Sequence, residues 1–167
     1  MNFELRKWQE DFAEPIAQYV NNKKVADNLR NAFPYPYTLE NAKWYANYCI
    51  TNGEEKQCCR AIVVDGKAVG NISVQIKDDI YCKSAEMGYW LGEPFWNKGI
   101  ITKAIMQMCE FAFENYDIVR IFAEPFAHNI ASRKALVKAG FKLEGVLEKS
   151  VYKNGEFYDS CIYALIK

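Results

Sequence analysis

The residues best placed to do chemistry lie in the run Phe95-Trp96-Asn97-Lys98-Gly99-Ile100-Ile101-Thr102. It follows a strand-like segment, Ser84 to Leu91, and feeds a helical pattern carrying Ile101, Ala104, Ile105, Met108, Phe111 and Ala112. A loop entering a helix leaves the first backbone N–H groups without intrahelical partners, at the positive end of the dipole. Such a terminus suits a phosphate or pyrophosphate. Gly99 lets the backbone approach an anion closely, and Lys98 adds a cation. The run is no P-loop, because no Gly-Lys-Ser/Thr follows a Gly-rich stretch, and no G-x-G-x-x-G fingerprint is present. An ordinary strand-to-helix turn would use the same residues. Further on, Asn129 before Ile130-Ala131-Ser132 reads as a helix N-cap. Ser132 lies one turn beyond Asn129, on the same side.

Composition narrows the partners. The chain has 167 residues, with 21 basic and 21 acidic side chains and a formal net charge of zero. Balanced charge argues against gripping nucleic acid through counterion release. It also gives no steering toward a strongly charged partner. A single histidine, His128, cannot build a His-rich metal site, and no metal site is expected. The hydrophobic share of 50% is too high for a disordered chain, and no run approaches a membrane span. The six cysteines show no C-x-x-C spacing, and Cys58 and Cys59 are adjacent. Met1 is followed by mixed polar sequence without an apolar leader core. Reduced thiols in a cytoplasmic protein are expected, each a small buried apolar residue.

The elements that must position the loop follow from pattern. One domain over 1–167 is expected, since no repeat or Pro/Ser/Gly linker interrupts the chain. A short strand is predicted over 3–8, then helices over 15–21 and 24–31. The segment Phe33-Pro34-Tyr35-Pro36-Tyr37 cannot be helical, because each Pro disfavours the α region in the residue before it. Thr38 reads as the N-cap of a helix that Gly53 ends. Segments 57–64 and 67–76 read as a hairpin turned by Asp65-Gly66. A strand over 118–123, a helix over 129–139 stopped by Gly140, and a strand from Phe141 follow. Asn154-Gly155 then turns into a last strand reaching Ile166. The order is mixed αβ, with antiparallel hairpins ahead of a βαβαβ core.

Read as an ordered set, these segments resemble the GNAT superfamily of acyl-CoA-dependent N-acetyltransferases. The family loop is Arg/Gln-x-x-Gly-x-Gly/Ala, and here it reads Trp96-Asn97-Lys98-Gly99-Ile100-Ile101. The most similar branch contains the ribosomal-protein alanine N-acetyltransferases. Matching stretches are Pro34-Tyr35-Pro36-Tyr37-Thr38 before a helix carrying Trp44, Ala85 to Leu91, and Trp96 to Ala104. His128-Asn129 with Ser132, Ala139 to Gly145, and Asp159 with Tyr163-Ala164-Leu165 complete them. The resemblance implies an α/β (α+β) fold, a mixed and mostly antiparallel central sheet flanked by helices and splayed at the acyl-CoA site. Four positions depart from the pattern. Trp96 replaces the usual Arg or Gln, as is common in this branch. Ile101 stands where Gly or Ala is usual, Leu136 where many members carry a Tyr general acid, and Val151 where the branch sometimes carries a Glu.

The resemblance also implies roles. Acetyl-CoA would be the co-substrate and a primary amine, at a protein N-terminus or on a small molecule, the acceptor, with direct attack in a ternary complex. The pyrophosphate would sit on the N–H groups of Asn97, Lys98, Gly99, Ile100, Ile101 and Thr102. A main-chain N–H near Trp90 or Leu91 would meet the developing oxyanion, and Asn129 would hydrogen-bond the pantetheine arm. Glu86 is the base candidate, against a salt-bridged surface carboxylate. Ser132 is the candidate to stabilise or protonate the thiolate, against a small polar residue packed at the cofactor. Phe33, Tyr35, Tyr37, Tyr89 and Tyr152 would line the acceptor pocket, although many such aromatics simply finish a core. No nucleic acid or membrane partner is implied, and the chain would be a monomer or homodimer. Two other readings stay open: an acyl-CoA-binding regulator without turnover on the same fold, and a structural partner protein that uses its aromatic surface.

Overall fold

A computed structural model describes residues 1–167. Its strands are β1 (Glu4–Arg6), β2 (Gln57–Val64), β3 (Lys67–Ile76), β4 (Ser84–Leu91), β5 (Arg120–Ala123), β6 (Lys142–Lys153) and β7 (Glu156–Ile166). Its helices are α1 (Ala13–Val20), α2 (Lys23–Ala26), α3 (Leu39–Thr51), α4 (Ile100–Asn115) and α5 (Ile130–Lys138). The seven strands hydrogen-bond in the order β1-β2-β3-β4-β5-β7-β6. Pairings β1/β2, β5/β7 and β6/β7 are antiparallel, and β4/β5 is parallel. This is the mixed, mostly antiparallel sheet with flanking helices expected from the sequence. The backbone groups into two compact units, residues 1–73 with 88–100, and 74–87 with 101–167.

In the first unit, helix positions follow local chemistry. Thr38 caps α3 with a reciprocal box: Thr38 Oγ1 accepts from Asn41 N at 3.2 Å, and Asn41 Oδ1 accepts from Thr38 N at 2.9 Å. Asn22 caps α2, its Oδ1 accepting from Lys24 N at 2.9 Å. The expected helix over 24–31 stops at Ala26. Asn28 Nδ2 donates to Lys24 O at 3.0 Å, and its backbone N–H turns to Val25 O at 3.1 Å instead. A side chain that takes the i−4 carbonyl competes with helix propagation. Gly53 does not end α3 either. Asn52 leaves the helix at φ −72° and ψ 124°, an extended turn that needs no glycine. The Asp65-Gly66 hairpin turn forms with φ 48° and 78°, the two positive angles of a type I′ turn. Trp8, Phe12, Ile16, Tyr37, Ala42, Ala46, Cys59, Ala61, Val63 and Trp90 are buried in one cluster.

In the second unit, β4 runs beside β5 with Glu86 opposite Phe122, and β5 pairs Phe122 with Ala164 of β7. The β5 strand is shorter than the predicted 118–123: Ile118 is buried, and Val119 N donates to Lys83 O at 2.9 Å before the ladder begins. Gly140 follows α5 at φ +96°, as a helix stop requires. The β6–β7 hairpin turns at Asn154-Gly155, φ 52° and 78°, and β6 carries two register irregularities, with Lys149 at φ 51°. All six cysteines are free. Four are buried as expected; Cys82 is exposed and Cys49 half-buried, because each sits where its element meets solvent. No helix is long and apolar enough to cross a membrane.

Candidate active site

The loop identified from sequence is built by the end of β4 and the start of α4. After Leu91, Gly92 N donates to Val69 O at 2.8 Å, and residues 93–95 form a single 3-10 turn. Trp96 then folds back: its indole Nε1 donates to Leu91 O at 2.7 Å. The indole thus pins the loop to the strand it leaves, which accounts for a Trp where the resembled family usually has Arg or Gln. Asn97 and Gly99 both take left-handed backbone, φ 60° and 73°. Alternating left-handed residues turn successive N–H groups to one side, a concavity suited to anions. Asn97, Lys98 and Gly99 are exposed, and the Lys98 ammonium lies 5.6 Å from the Phe95 ring centre. Ile100, the first residue of α4, is buried and Ile101 is half-buried, so the larger residue at the Gly/Ala position is accommodated within the first turn of α4. The helix starts at Ile100, one residue earlier than its apolar pattern suggested.

Close approach also shapes the end of β4. A Cβ on Gly70 would lie 2.5 Å from the Trp90 carbonyl oxygen, so only glycine lets β3 pass there. Trp90 is buried, and its indole N–H has no hydrogen-bond partner. Tyr89 is half-buried on the same strand.

Of the aromatic candidates, Phe33 and Tyr37 come together, ring centres 5.8 Å apart, and Phe33 also meets Trp90 at 6.5 Å. They line a cleft of about 170 Å³ with Ala32, Pro34, Asn41, Trp44 and Tyr45. Burial pushes the Tyr37 hydroxyl up to about 12. Trp44 and Tyr45 were not among the predicted pocket residues; their adjacency on a helix behind the Pro-Tyr-Pro-Tyr segment was the available signal. Tyr35 is not in the cleft: it precedes a cis peptide to Pro36 and is 52% exposed. Tyr152 belongs to the other unit, near the tip of the β6–β7 hairpin, its ring centre 5.0 Å from that of Phe157 and tilted by 51°.

The second unit holds the acid–base candidates. Glu86 Oε2 accepts from Lys77 Nζ at 3.3 Å, and Lys77 N in turn donates to Ser84 O at 2.9 Å. Glu124 follows β5 two residues beyond Phe122, the register partner of Glu86. Burial first, and the nearby Glu86 charge second, raise the Glu124 carboxyl above its ordinary value. Sequence gave no way to rank Glu124, because its neighbour Glu86 is 38 positions away and meets it only through the parallel pairing. Asn129 caps α5, its Oδ1 accepting from Ser132 N at 3.3 Å, and Ser132 is half-buried. Leu136, at the usual acid position, is fully buried in the core. His128 is exposed, with its ring 5.0 Å from Tyr158. No group of three or more His, Cys, Asp or Glu side chains could hold a metal ion.

Comparison with known proteins places these features. The profile of the acetyltransferase (GNAT) domain matches residues 2–142. The chain is 33% identical over 142 residues to YdaF of Bacillus subtilis (strain 168), whose name assigns it provisionally as a ribosomal N-acetyltransferase; this covers 85% of the chain and 74% of YdaF. It is 31% identical to the uncharacterized N-acetyltransferase p20 of Bacillus licheniformis, covering 98% of the chain and 92% of p20. Among solved structures it is similar to the microcin C7 self-immunity acetyltransferase MccE in complex with acetyl-CoA and AMP, with a TM-score of 0.84 and 29% identity, covering 99% of this chain and 92% of that one.

Proposed function

We propose, because this chain belongs to the GNAT acetyltransferase family, that it moves an acetyl group from acetyl-CoA to a primary amine by direct attack in a ternary complex. The observation that carries this reading is the loop. Trp96 ties it to Leu91, and left-handed Asn97 and Gly99 present N–H groups beside the start of a 16-residue helix. The cofactor pyrophosphate takes the N–H groups from Asn97 to Thr102, with Lys98 adding positive charge. Asn129 hydrogen-bonds the pantetheine arm while capping α5, and a main-chain N–H at Trp90 or Leu91 stabilises the oxyanion.

The amine nitrogen attacks the thioester carbon, the C–S bond breaks, and one proton must leave the nitrogen while one reaches sulfur. Glu86 and Glu124 form the carboxylate pair that serves the nitrogen. Glu86 is paired to Lys77, whereas Glu124 has the raised proton affinity a base needs. Glu124 therefore takes the proton, its affinity raised by burial first and by the Glu86 charge second. Ser132 assists the departing thiolate. Phe33 and Tyr37 hold the body of the acceptor, with Tyr89 as a further contact. The ribosomal name of YdaF favours a protein N-terminus as acceptor. An α-amine, with a pKa of about 7.7–8.0, is partly neutral near pH 7, unlike a lysine at about 10.4.

The test is a panel of peptides with free N-termini and small amines, incubated with acetyl-CoA while CoA thiol release and acceptor mass are followed. Acetylation of at least one peptide N-terminus is expected. Acetyl-CoA binding without turnover on any amine would replace this reading with a regulator on the same fold. Absence of acetyl-CoA binding would remove the pyrophosphate assignment as well.

A further inference from the structure

The aromatic cleft of the first unit is lined by no charged side chain. Four of its lining residues are aromatic, Phe33, Tyr37, Trp44 and Tyr45, and Asn41 supplies the one side-chain amide. Glu40 and Lys43, the charged residues on either side of Asn41 in α3, pair with each other at 3.4 Å, and neither lines the cleft. Tyr37 stays a neutral phenol, its hydroxyl pushed up to about 12 by burial. The Tyr45 hydroxyl is engaged with the core, accepting from Asn71 Nδ2 at 3.1 Å. Trp44 is exposed and stacks on Tyr48, ring centres 5.6 Å apart, so it offers its other face to a ligand.

The α3 cap fixes which way the Asn41 amide faces. Asn41 Oδ1 accepts from Thr38 N at 2.9 Å and from Thr38 Oγ1 at 2.8 Å, while Thr38 Oγ1 accepts from Asn41 N at 3.2 Å. A backbone N–H can only donate, so the amide atom facing Thr38 N is the oxygen. Both hydrogens of Asn41 Nδ2 are thus left over from the cap, on a residue that lines the cleft. Behind Phe33, the Trp90 indole is a further donor, buried and without a partner. The helix terminus is not itself an anion site here. Thr38 already accepts from Asn41 N and, through its carbonyl, from Ala42 N at 3.1 Å, and Glu40 in the first turn answers the dipole.

Ring faces are electron-rich and disfavour an anion. Amide N–H groups present positive hydrogens and disfavour a cation. An uncharged oxygen on an apolar body suits both, whereas a carboxylate would lose its hydration with no cation in the lining to replace it. We infer that Asn41 reads an uncharged carbonyl, so that the cleft selects an amine whose neighbouring carboxyl is blocked as an amide, as in a peptide or an amino-acid amide. The carbonyl oxygen accepts from Asn41 Nδ2, and the apolar side chain of that residue lies against Phe33 and Trp44. A free amino acid is disfavoured by its carboxylate. A plain alkylamine is disfavoured because it leaves Asn41 Nδ2 without an acceptor. This rests on the reading of the cleft as the acceptor site, and it makes Asn41 a specificity-determining residue there.

The experiment titrates the purified full chain, alone and with CoA, with leucinamide, leucine and 3-methylbutylamine by calorimetry at about pH 6. The three ligands share one apolar body, and all are ammonium ions there, since an α-amine titrates at about 7.7–8.0 and an alkylamine higher. Leucinamide should bind at least about 10-fold tighter than either of the others, the factor that about 1.4 kcal/mol corresponds to. Asn41→Asp keeps an oxygen for Thr38 N, so the melting temperature should hold, but it replaces Nδ2 by a second oxygen. Leucinamide should then bind no better than 3-methylbutylamine. Equal binding of the three, tightest binding of leucine or of 3-methylbutylamine, binding of none, or an unchanged preference in Asn41→Asp would overturn the assignment. The ranking on the unsubstituted chain decides alone if the variant does not fold. Because binding is read, the ranking holds or fails apart from acetyl transfer: the predicted order in a chain that acetylates no amine would end the transferase reading and leave the selectivity of the cleft in place.

Discussion

The indole of Trp96 donates to the carbonyl of Leu91 at 2.7 Å, and this bond closes the loop between β4 and α4 on itself. A loop leaving a strand end carries carbonyls that the ladder no longer satisfies. One side chain occupies such a carbonyl and fixes the entry of the helix whose N–H groups are assigned to the pyrophosphate. Trp96→Phe keeps the ring and removes the donor. It should cost about 1 kcal/mol of stability, read by urea unfolding. It should also raise the acetyl-CoA Kd about 3–10-fold, the range that 0.7–1.4 kcal/mol corresponds to, read by calorimetry.

Gly99 makes a second, separable prediction. A Cβ there would meet nothing within 4 Å, so space is not the constraint; φ +73° is. Asn tolerates left-handed backbone and Val does not. Gly99→Asn should therefore stay within about 1 kcal/mol in acetyl-CoA affinity, while Gly99→Val should lose about 1–2 kcal/mol or more. Equal binding by both variants would remove the backbone role assigned to the loop.

At Gly70 the prediction reverses: there the constraint is space. Its Cβ would stand 2.5 Å from the Trp90 carbonyl oxygen, which is backbone and cannot rotate away. Gly70→Ala should lower the melting temperature by several degrees, the response expected of about 1–3 kcal/mol of overpacking.

The carboxylate pair predicts a pH profile. Glu124 is raised by burial and then by Glu86, so the acid limb of kcat/KM should lie above the ordinary carboxylate value of 4.5. Glu86→Gln removes the negative neighbour and should move that limb to lower pH. Glu124→Gln should abolish it and lower kcat by about 10²–10⁴-fold. Stability carries the opposite sign from a salt-bridged acid. A folded-state value above the unfolded one means the folded chain holds the proton more tightly, so stability falls as pH rises through that window. Glu124→Gln should therefore lose this fall in unfolding curves measured from pH 4 to pH 7.

The Thr38 cap offers a check on the cleft. Thr38→Ala removes the acceptor for Asn41 N and should cost about 1 kcal/mol. Because Asn41 lines the cleft, the KM for the acceptor should rise with little change in kcat.

Much of the scaffold was legible in the residues themselves. The hairpin over 57–76 and the strand over 84–91 lie where pattern placed them, because alternation and the Asp65-Gly66 turn are local properties. Thr38 and Asn129 were readable as caps for the same reason, since a cap is made within four residues of its own chain. Gly99 and Lys98 could be singled out because a loop before a helix has a fixed set of free N–H groups. Where a side chain competed with the backbone, as at Asn28, propensity overstated the helix.

Tertiary structure alone decided everything that depends on distance along the chain. Trp96 looked like a substituted motif position until its indole met Leu91. Glu124 became distinct from the other acids only because a parallel pairing brings it near Glu86. In each case the determining energy is a hydrogen bond or a charge interaction between groups that sequence spacing does not relate. Such energies exist only after hydrophobic burial has brought the elements into contact.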